Sequence, residues 1–464
     1  MSMSPRAPSD RFYSRLQWTL IALVAALLLY GFVIARFVPT PRGLGFRLFL
    51  LSMLAFNALW WSVADRRFAR FVESARLSKA ARAIAGVFTA GLVAPLVYMF
   101  ITGRVPQFMK GPVWYASAVT LWNIGLAFCL PVIAGLRLAA LAGYWSWQRW
   151  SGRGRVESGP AQPSLGEKSS ADNATMPTAF VSRRALLKTA VASVPMAALG
   201  GSVLAWRDQA AFVVRQHEVP APWLPDRLRG LTISHVSDLH VGRLFRPDML
   251  PRVVEAVNAL NSDLLLITGD IVDNSNALLP PTLDAIGRMQ HRYGCFLCIG
   301  NHDEIDDRAE FIHMVRERFD LLINRRRSLE IGGERLCIAG IDYAGSDEPR
   351  GSRPGHRRDV RSALMNYDKH VEGPMIALAH HPHTWDALRD SGVPLTLSGH
   401  THGGQLMIAP PGSGFDRGAG ELLFRYIRGF FGDDRSRLFV NSGVGNWFPV
   451  RINAPAEIVQ LRLA

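Results

Sequence analysis

The chain has 464 residues, 48% of them apolar, and is long enough for more than one domain. Its formal charge of +14 could attract nucleic acid, but many arginines stand beside long uncharged runs, as in membrane proteins, and no basic helix or aromatic-rich motif is present. Nucleic acid is therefore disfavoured as a partner, and the four cysteines are too few and too scattered for a disulfide framework.

The first part of the chain contains four uncharged apolar runs. As helices, they are each about long enough to cross a hydrocarbon core of roughly 30 Å. We predict an α-helical transmembrane region over residues 1–144, with helices at residues 18–35, 48–64, 83–103 and 112–136. The arginine-rich N-terminus, second loop and segment after the fourth helix should be cytoplasmic. Residues 145–181, rich in Ser, Gly, Pro and Ala, are predicted to form a flexible cytoplasmic linker.

A second kind of signal occupies residues 182–206. It begins with the pair Arg183 and Arg184 ahead of an uncharged stretch, and it resembles a twin-arginine export signal, although Leu186 stands where that signal more often has Phe. The alternative is a fifth transmembrane helix with a positive inner flank. Both alternatives carry residues 207–464 across the membrane, and the sequence leaves open whether the segment is cleaved.

The remaining residues have the composition of a globular domain, and all 13 histidines lie there. Five short apolar runs are predicted to be buried strands, and each is followed by polar residues. These residues are Asp238 and His240; Asp270; Asn301 and His302; His380; and His400 and His402. Open α/β sheets place their sites at such strand ends. Helices predicted at residues 247–260 and 303–319 alternate with the strands and indicate an α/β domain of layered sheets.

The pair His400 and His402 follows the predicted strand at residues 395–397. In an extended chain the two side chains would project to the same side, and neutral imidazoles suit divalent transition metals. The flanking glycines would let backbone approach the bound ions. A loop with two solvated or core histidines is the alternative for such a pair considered alone.

The motifs together resemble those of the calcineurin-like metallophosphoesterases. They stand in the same order, as Asp238-x-His240, Gly269-Asp270-x-x-Asp273, Gly300-Asn301-His302-Asp303, His380 and Gly399-His400-x-His402. The resemblance runs from about residue 228 to the C-terminus, and the sequence His-Thr-His-Gly-Gly-Gln is most similar to a membrane-associated bacterial branch. It implies a layered α/β/β/α sandwich of two mixed sheets.

The resemblance also implies a site for two divalent metal ions. One ion would be held by Asp238, His240 and His402, the other by Asn301, His380 and His400, and Asp270 would bridge both. This mixture of nitrogen and oxygen ligands suits Mn, Fe or Zn, and we favour Mn. A hydroxide activated by the metals would then attack phosphorus. Among the neighbouring histidines His380, His381 and His383, the family pattern selects His380, which lies two residues before the proline.

Two further residues are implied to be catalytic. His302 would protonate the leaving oxygen or donate to the phosphate, and Asp273 would hold the ring of His302. Capping of a helix or turn is the alternative for Asp273, and capping is the favoured role of Asp303. Asn274 departs from the protein phosphatases of this superfamily, which have Arg at that place to hold a phosphomonoester. The departure favours a diester or pyrophosphate substrate.

These observations predict a membrane-anchored phosphodiesterase on the outer face of a bacterial cytoplasmic membrane. It would cleave a lipid headgroup or glycolipid, so that its partners are the bilayer and a lipid-linked phosphoester. One alternative is a pyrophosphate hydrolase of lipid A synthesis resembling the UDP-diacylglucosamine hydrolases, whose substrate lies in the cytoplasm. The other is a non-catalytic membrane receptor or assembly factor. The aromatic segment at residues 410–434 would pack over the site, touch lipid or form a surface loop.

Overall fold

The computed structural model describes residues 50–61, 75–102, 119, 122–123, 126, 211–343, 354–405, 407, 424–446 and 451–464. The described residues before 127 belong to one compact unit and those from 211 onward to another. The helix predicted at 18–35, most of that at 112–136, the linker and the twin-arginine-like segment lie outside the described residues.

The first unit contains two described helices, α1 (Leu50–Trp61) and α2 (Ala75–Thr102). Within α2, Arg82–Ile101 is long and apolar enough to cross a membrane, with a mean hydropathy of 2.1, and it is the only such span among the described residues. Ile84 and Val87 of this helix are more than 70% exposed. Apolar side chains exposed at this level are compatible with contact to lipid.

Polar side chains inside this unit are paired with one another. Asn57 donates to Asn123 Oδ1 at 2.7 Å and accepts from Trp122 Nε1 at 2.8 Å. The three residues are at most 5% exposed. Because a polar group in an apolar environment is costly unless it is hydrogen-bonded, this network joins α1 to the residues around position 122.

The second unit contains two six-stranded mixed sheets. The first has the order β1-β12-β2-β3-β4-β5, with β12 antiparallel to β2 and the other pairs parallel. Its strands are β1 (Phe212–Val219), β2 (Thr232–Val236), β3 (Leu264–Thr268), β4 (Gly294–Cys298), β5 (Asp320–Leu321) and β12 (Ala456–Leu463).

The second sheet has the order β10-β11-β9-β8-β7-β6, and its two outer pairs, β10 with β11 and β6 with β7, are antiparallel. Its strands are β6 (Arg325–Ile331), β7 (Glu334–Ile341), β8 (Met375–Ala379), β9 (Leu395–Ser398), β10 (Gly429–Gly432) and β11 (Arg437–Val440). The prediction of an α/β domain with two mixed sheets is thus confirmed.

Helices cover the outer faces of both sheets. The first sheet packs against α3 (Leu250–Ala259), α4 (Leu279–Ile286) and α5 (Arg308–Arg316). The second packs against α6 (Pro354–Leu364) and α8 (Trp385–Asp390), and the single-turn α7 (Lys369–Glu372) lies between these two in sequence. A third apolar core lies between the sheets, which gives four layers.

The strands alternate their side chains between these cores, as the period of two requires. Cys295 and Cys298, three residues apart on β4, therefore lie in different cores. Burial raises the pKa of both thiols, which are unsuited to a redox pair. The helix predicted at residues 303–319 is shorter: α5 begins at Arg308, where the Asp307 side chain accepts from the backbone N–H of Glu310.

Candidate metal centre

The polar residues that follow five strands lie together where the two sheets meet. Strands β2, β3 and β4 run parallel in the first sheet, and β8 and β9 run parallel in the second. Their carboxyl ends therefore bring loops from both sheets to one place. All seven side chains predicted to bind metal are found there, in two adjoining clusters of donor atoms.

The first cluster consists of Asp238, His240 and His402, which are all buried. The two imidazole Nε2 atoms face each other at 3.0 Å. Asp238 Oδ1 lies 3.4 Å from Nε2 of His402 and 3.8 Å from Nε2 of His240. Three ligand atoms thus surround one small space.

The second cluster consists of Asn301, His380 and His400. Asn301 Oδ1 lies 2.8 Å from His400 Nδ1 and 3.2 Å from His380 Nε2, and these two nitrogens are 3.2 Å apart. Asp270 connects the clusters, because its Oδ2 lies 3.1 Å from His380 Nε2 and 3.3 Å from His240 Nε2. The structure therefore places this carboxylate between the two sets of nitrogens.

The spacing of these atoms fits divalent transition ions. Such ions bind imidazole nitrogen at about 2.1 Å, so that the ligand atoms of a tetrahedral site lie about 3.4 Å apart. The donor atoms within the two clusters lie between 2.8 and 3.8 Å apart. The backbone is also shaped to approach the ligands, since a Cβ on Gly300 would overlap Asp270 and one on Gly399 would overlap Asp238.

The charges of the buried residues also favour bound divalent cations. Asp238 and Asp270 are at most 1% exposed, and their ion pairs among the described residues are with histidines. Burial alone would lower the pKa of His380, but the charge and hydrogen bond of Asp270 outweigh it and raise that pKa to about 9. Burial, together with the nearby His380, lowers the pKa of His400 to about 3. Two buried carboxylates thus demand positive charge, which divalent cations would supply.

The ligand residues adopt a backbone conformation that L-residues usually avoid. Among the described residues, the positive-φ positions that are neither Gly nor Asn are Asp238, His240, Asp270, His400, His402 and Gln405, with φ between 43° and 71°. Each such residue costs roughly 1–3 kcal/mol, which the surrounding structure must offset. The expectation that His400 and His402 lie in an extended chain is therefore wrong. Each turns after β9, and the two rings reach different clusters.

A second layer of hydrogen bonds orients the ligands. The carbonyl of Thr268 accepts from Nδ1 of His380 at 2.6 Å, so this nitrogen carries the proton and Nε2 presents its lone pair. Ser237 Oγ donates to Asp238 Oδ2 at 2.5 Å and accepts from Thr268 Oγ1 at 2.7 Å. His235, which is buried on β2 two residues before Ser237, contacts Thr268 Oγ1 at 2.9 Å. The chain of contacts fixes the Asp238 carboxylate.

Asp303 has a different role from the predicted helix cap. Its fully buried carboxylate accepts from the backbone N–H groups of Asp270 and Gly300 at 2.9 Å each and from Ile271 at 2.7 Å. These amides belong to the loops after β3 and β4. Asp303 therefore ties together the two loops that carry Asp270 and Asn301.

The two residues predicted to be catalytic lie beside the first cluster. His302 Nδ1 lies 2.7 Å from the carbonyl oxygen of Asp273 and 3.2 Å from its Oδ1, and the His302 ring is 4.4 Å from that of His240 between centroids. Because a carbonyl only accepts, Nδ1 carries a proton. Asn274 donates to Asp273 Oδ2 at 2.6 Å. The structure thus brings Asp273 against His302, as predicted, and both remain partly accessible to solvent.

Two residues near the centre, Tyr343 and Arg451, were not predicted from the sequence. Tyr343 follows β7, and its ring lies 5.9 Å from that of His400; Phe424, in the predicted aromatic segment, lies 5.3 Å from the same ring. Arg451 is partly buried behind His402 and donates to backbone carbonyls, including that of His402 at 3.2 Å and that of Gly445 at 2.7 Å. Tyr343 shares the signal of the ligands, since it too follows an apolar strand.

Phe424 belongs to the aromatic segment predicted at residues 410–434, whose part at 410–423 lies outside the described residues. Its contact with His400 means that the described end of the segment packs at the site.

The structure also distinguishes the three neighbouring histidines that were considered as ligands. Nε2 of His380 faces Asp270, whereas His381 stacks beside His400 with ring centroids 4.7 Å apart. His383 accepts from the backbone N–H of Arg425.

Comparison with known proteins agrees with this geometry. Residues 231–404 match the model of the family described as calcineurin-like phosphoesterase, and this range contains all seven ligand candidates. The chain is 33% identical over 258 residues to a transmembrane protein with metallophosphoesterase domain from Danio rerio, covering 53% of this chain and 56% of that protein. It is 32% identical over 263 residues to a metallophosphoesterase of Helicobacter pylori, covering 56% and 66%.

A more distant relative is the UDP-2,3-diacylglucosamine pyrophosphatase LpxG of Chlamydia trachomatis. Its identity is 24% over 278 residues, covering 51% of this chain and 84% of that protein. The chain spans less than two thirds of the length of the first relatives named above. The range that matches the family, residues 231–404, lies within the second unit of the structure.

Proposed function

Because residues 231–404 form a calcineurin-like phosphoesterase domain, we propose that this chain is a membrane-anchored phosphodiesterase that works with two divalent metal ions. The observation that carries the proposal is the position of Asp270. Its Oδ2 lies 3.1 Å from a nitrogen of one cluster and 3.3 Å from a nitrogen of the other, which is what a bridging ligand requires.

The proposed ligands divide as the clusters do. Asp238, His240 and His402 would hold one ion, Asn301, His380 and His400 the other, and Asp270 both. The ions, of which we favour Mn, would lower the pKa of a water nucleophile and take up charge on the phosphoryl oxygens. The chain's own contribution is to hold seven ligand atoms at fixed separations before substrate arrives.

His302 and Asp273 would handle the leaving group. The carbonyl of Asp273 keeps a proton of His302 on Nδ1, and Oδ1 of Asp273 lies 3.2 Å from the same nitrogen. A proton on Nε2 of the ring would be donated to the departing oxygen. The proposed role of Asp273 is to orient the ring.

The substrate class follows from the side chains that face the ester. Asn274 is neutral and bonds to Asp273, so this position supplies no guanidinium to the three free oxygens of a monoester. A phosphodiester carries less charge and needs less compensation. We propose a lipid headgroup or glycolipid, because an anchored enzyme meets such substrates at the membrane surface.

The proposed location rests on the sequence of the first half. Residues 1–144 would form a multi-pass region in a bacterial cytoplasmic membrane, 145–181 a cytoplasmic linker, and 182–206 a twin-arginine-like signal or a fifth span. Residues 207–464 would then lie on the outer face. The described span Arg82–Ile101 and the relative named as a transmembrane protein support membrane association.

A second candidate is hydrolysis of a lipid-linked pyrophosphate, which the similarity to LpxG favours. One phosphoryl group of such a pyrophosphate would be attacked at the same centre as the phosphodiester. The proposed outward orientation counts against it for any substrate confined to the cytoplasm. A reporter enzyme that is active only in the cytoplasm, fused after Ala464, separates the two candidates. Activity of this reporter in the fusion would exclude the outward orientation.

The activity is tested on the purified full chain with Mn. We expect turnover of bis(4-nitrophenyl) phosphate to exceed that of the corresponding monoester. His302→Ala should slow a diester with a poor alkoxide leaving group by roughly 100-fold, and the nitrophenyl ester much less, because nitrophenolate needs little protonation. Equal losses for both leaving groups would contradict the acid role. No turnover of any diester or pyrophosphate would contradict the proposed function.

A further inference from the structure

Tyr343 lies beside the second cluster of the metal centre, as His302 lies beside the first. Its ring lies 6.0 Å from that of His380 and 5.9 Å from that of His400, both in the second cluster. His302 lies 4.4 Å from His240, which belongs to the first cluster. A group held over the bridging Asp270 would therefore have a hydrogen-bonding side chain beside each cluster.

The loop that carries Tyr343 is fixed by its neighbours. Tyr343 comes two residues after the end of β7, and the preceding Asp342 pairs with Arg308 Nη2 at 2.8 Å and donates its N–H to Asn324 at 3.0 Å. These bonds anchor the backbone at the base of the side chain. The ring is then held against His381 at 6.2 Å as well as against the two ligand histidines.

The hydroxyl of Tyr343 differs from those of two other tyrosines in the same unit. Tyr367 donates to the carbonyl of Gly373 at 2.7 Å, and Tyr426 donates to Asp386 at 2.8 Å. For Tyr343 the structure shows no hydrogen bond to any described residue. Tyr343 is only partly buried, so its hydroxyl is left available to a group that enters the centre.

A tyrosine hydroxyl is an ordinary neutral donor at physiological pH. A partner arriving there would be an acceptor, because a donor is what the side chain offers.

We propose that Tyr343 donates a hydrogen bond to a non-bridging oxygen of the phosphoryl group, on the side opposite to His302. This inference rests on the proposed phosphoesterase function and adds a residue that touches the substrate. Negative charge on the phosphoryl oxygens increases as the nucleophile bonds to phosphorus, so the hydrogen bond from Tyr343 strengthens in the transition state. The same donor should bind the phosphomonoester product and its analogue inorganic phosphate.

Packing of the aromatic ring alone is a less satisfactory explanation for a tyrosine at position 343. Phe424 already packs against His400 and is apolar throughout, which shows that stacking at this centre does not require a hydroxyl. If Tyr343 served only to exclude water, phenylalanine would serve equally well. Substitution by phenylalanine therefore separates the two explanations.

The experiment compares wild type, Tyr343→Phe and Tyr367→Phe in the full chain with Mn. Tyr367→Phe is the matched control, because it removes a real hydrogen bond of the same kind far from the donor clusters. We expect Tyr343→Phe to lower kcat for bis(4-nitrophenyl) phosphate by roughly 10-fold or more, as for loss of one bond to a charged group. The Kd of inorganic phosphate, measured by titration calorimetry, should rise about as much, with metal content unchanged.

The outcomes distinguish this inference from the proposed function. If wild type turns over diesters but Tyr343→Phe matches it in kcat and phosphate affinity, the inference is overturned while the phosphoesterase remains. If Tyr343→Phe loses metal in proportion to activity, the hydroxyl acts on the ligands and the inference is again overturned. If wild type itself neither turns over diesters nor binds phosphate, the proposed function fails first.

Discussion

Asp303→Asn replaces one carboxylate oxygen by an NH2 group that faces backbone donors. In the wild type, the two oxygens accept from Asp270, Gly300 and Ile271 at 2.7–2.9 Å. Even in its better orientation, the asparagine leaves the Ile271 amide without an acceptor and bonds the other two amides without charge. With about 1.5–3 kcal/mol for a bond to a charged group and about half for a neutral one, the loss is about 3–6 kcal/mol.

Such a loss is a large share of the roughly 5–15 kcal/mol that stabilises a folded domain. At roughly 2–4 °C per kcal/mol, the melting temperature of the second unit should fall by about 6–24 °C, measured by circular dichroism of the full chain. Asp307→Asn is the matched control: Asp307 caps α5, where Asn is about as good as Asp, so it should melt like wild type. If Asp303→Asn melted like wild type yet lost turnover, the residue would act in the chemistry and our reasoning would be wrong.

Two further substitutions test the layer behind the ligands. Ser237→Ala removes the donor to Asp238 Oδ2, so we expect the affinity for metal to fall roughly 10- to 100-fold in competition with a chelator. Ser391→Ala is the distant control. An unchanged affinity in Ser237→Ala would mean that Ser237 does not orient the ligand. Arg451→Lys keeps the charge but loses the planar donor group that binds several carbonyls, so it should lower both the melting temperature and the metal affinity. Wild-type values for both would show that charge alone suffices there.

The strands and the polar residues that follow them could be predicted because both depend on short stretches of sequence. An apolar run followed by Asp270 or His380 carries its own signal, and parallel strands bring such ends together whatever lies between them. The apolar run before His380, one of the five predicted strands, is β8 (Met375–Ala379) for this reason. The same rule applied to β7 would have found Tyr343.

Other features depend on contacts between distant residues and leave no local signal. The helix cap predicted for Asp303 is instead an acceptor for amides about 32 residues earlier in the chain, and nothing in its neighbours indicates that. The left-handed backbone at His400 and His402 also escapes a pattern based on alternation, because tertiary contacts impose it. Nothing in the residues next to Arg451 indicates that the fold places it, partly buried, behind His402.

The central claim is that seven side chains hold two metal ions through one bridging carboxylate. The most direct test is elemental mass spectrometry of the purified full chain, with Asp270→Asn compared with the exposed control Asp284→Asn, which pairs with Arg318 at the surface. We expect about two ions per chain in wild type and in the control. In Asp270→Asn we expect at least one ion to be lost and diester turnover to fall by roughly 100-fold or more. Two retained ions with undiminished turnover in Asp270→Asn would contradict the account.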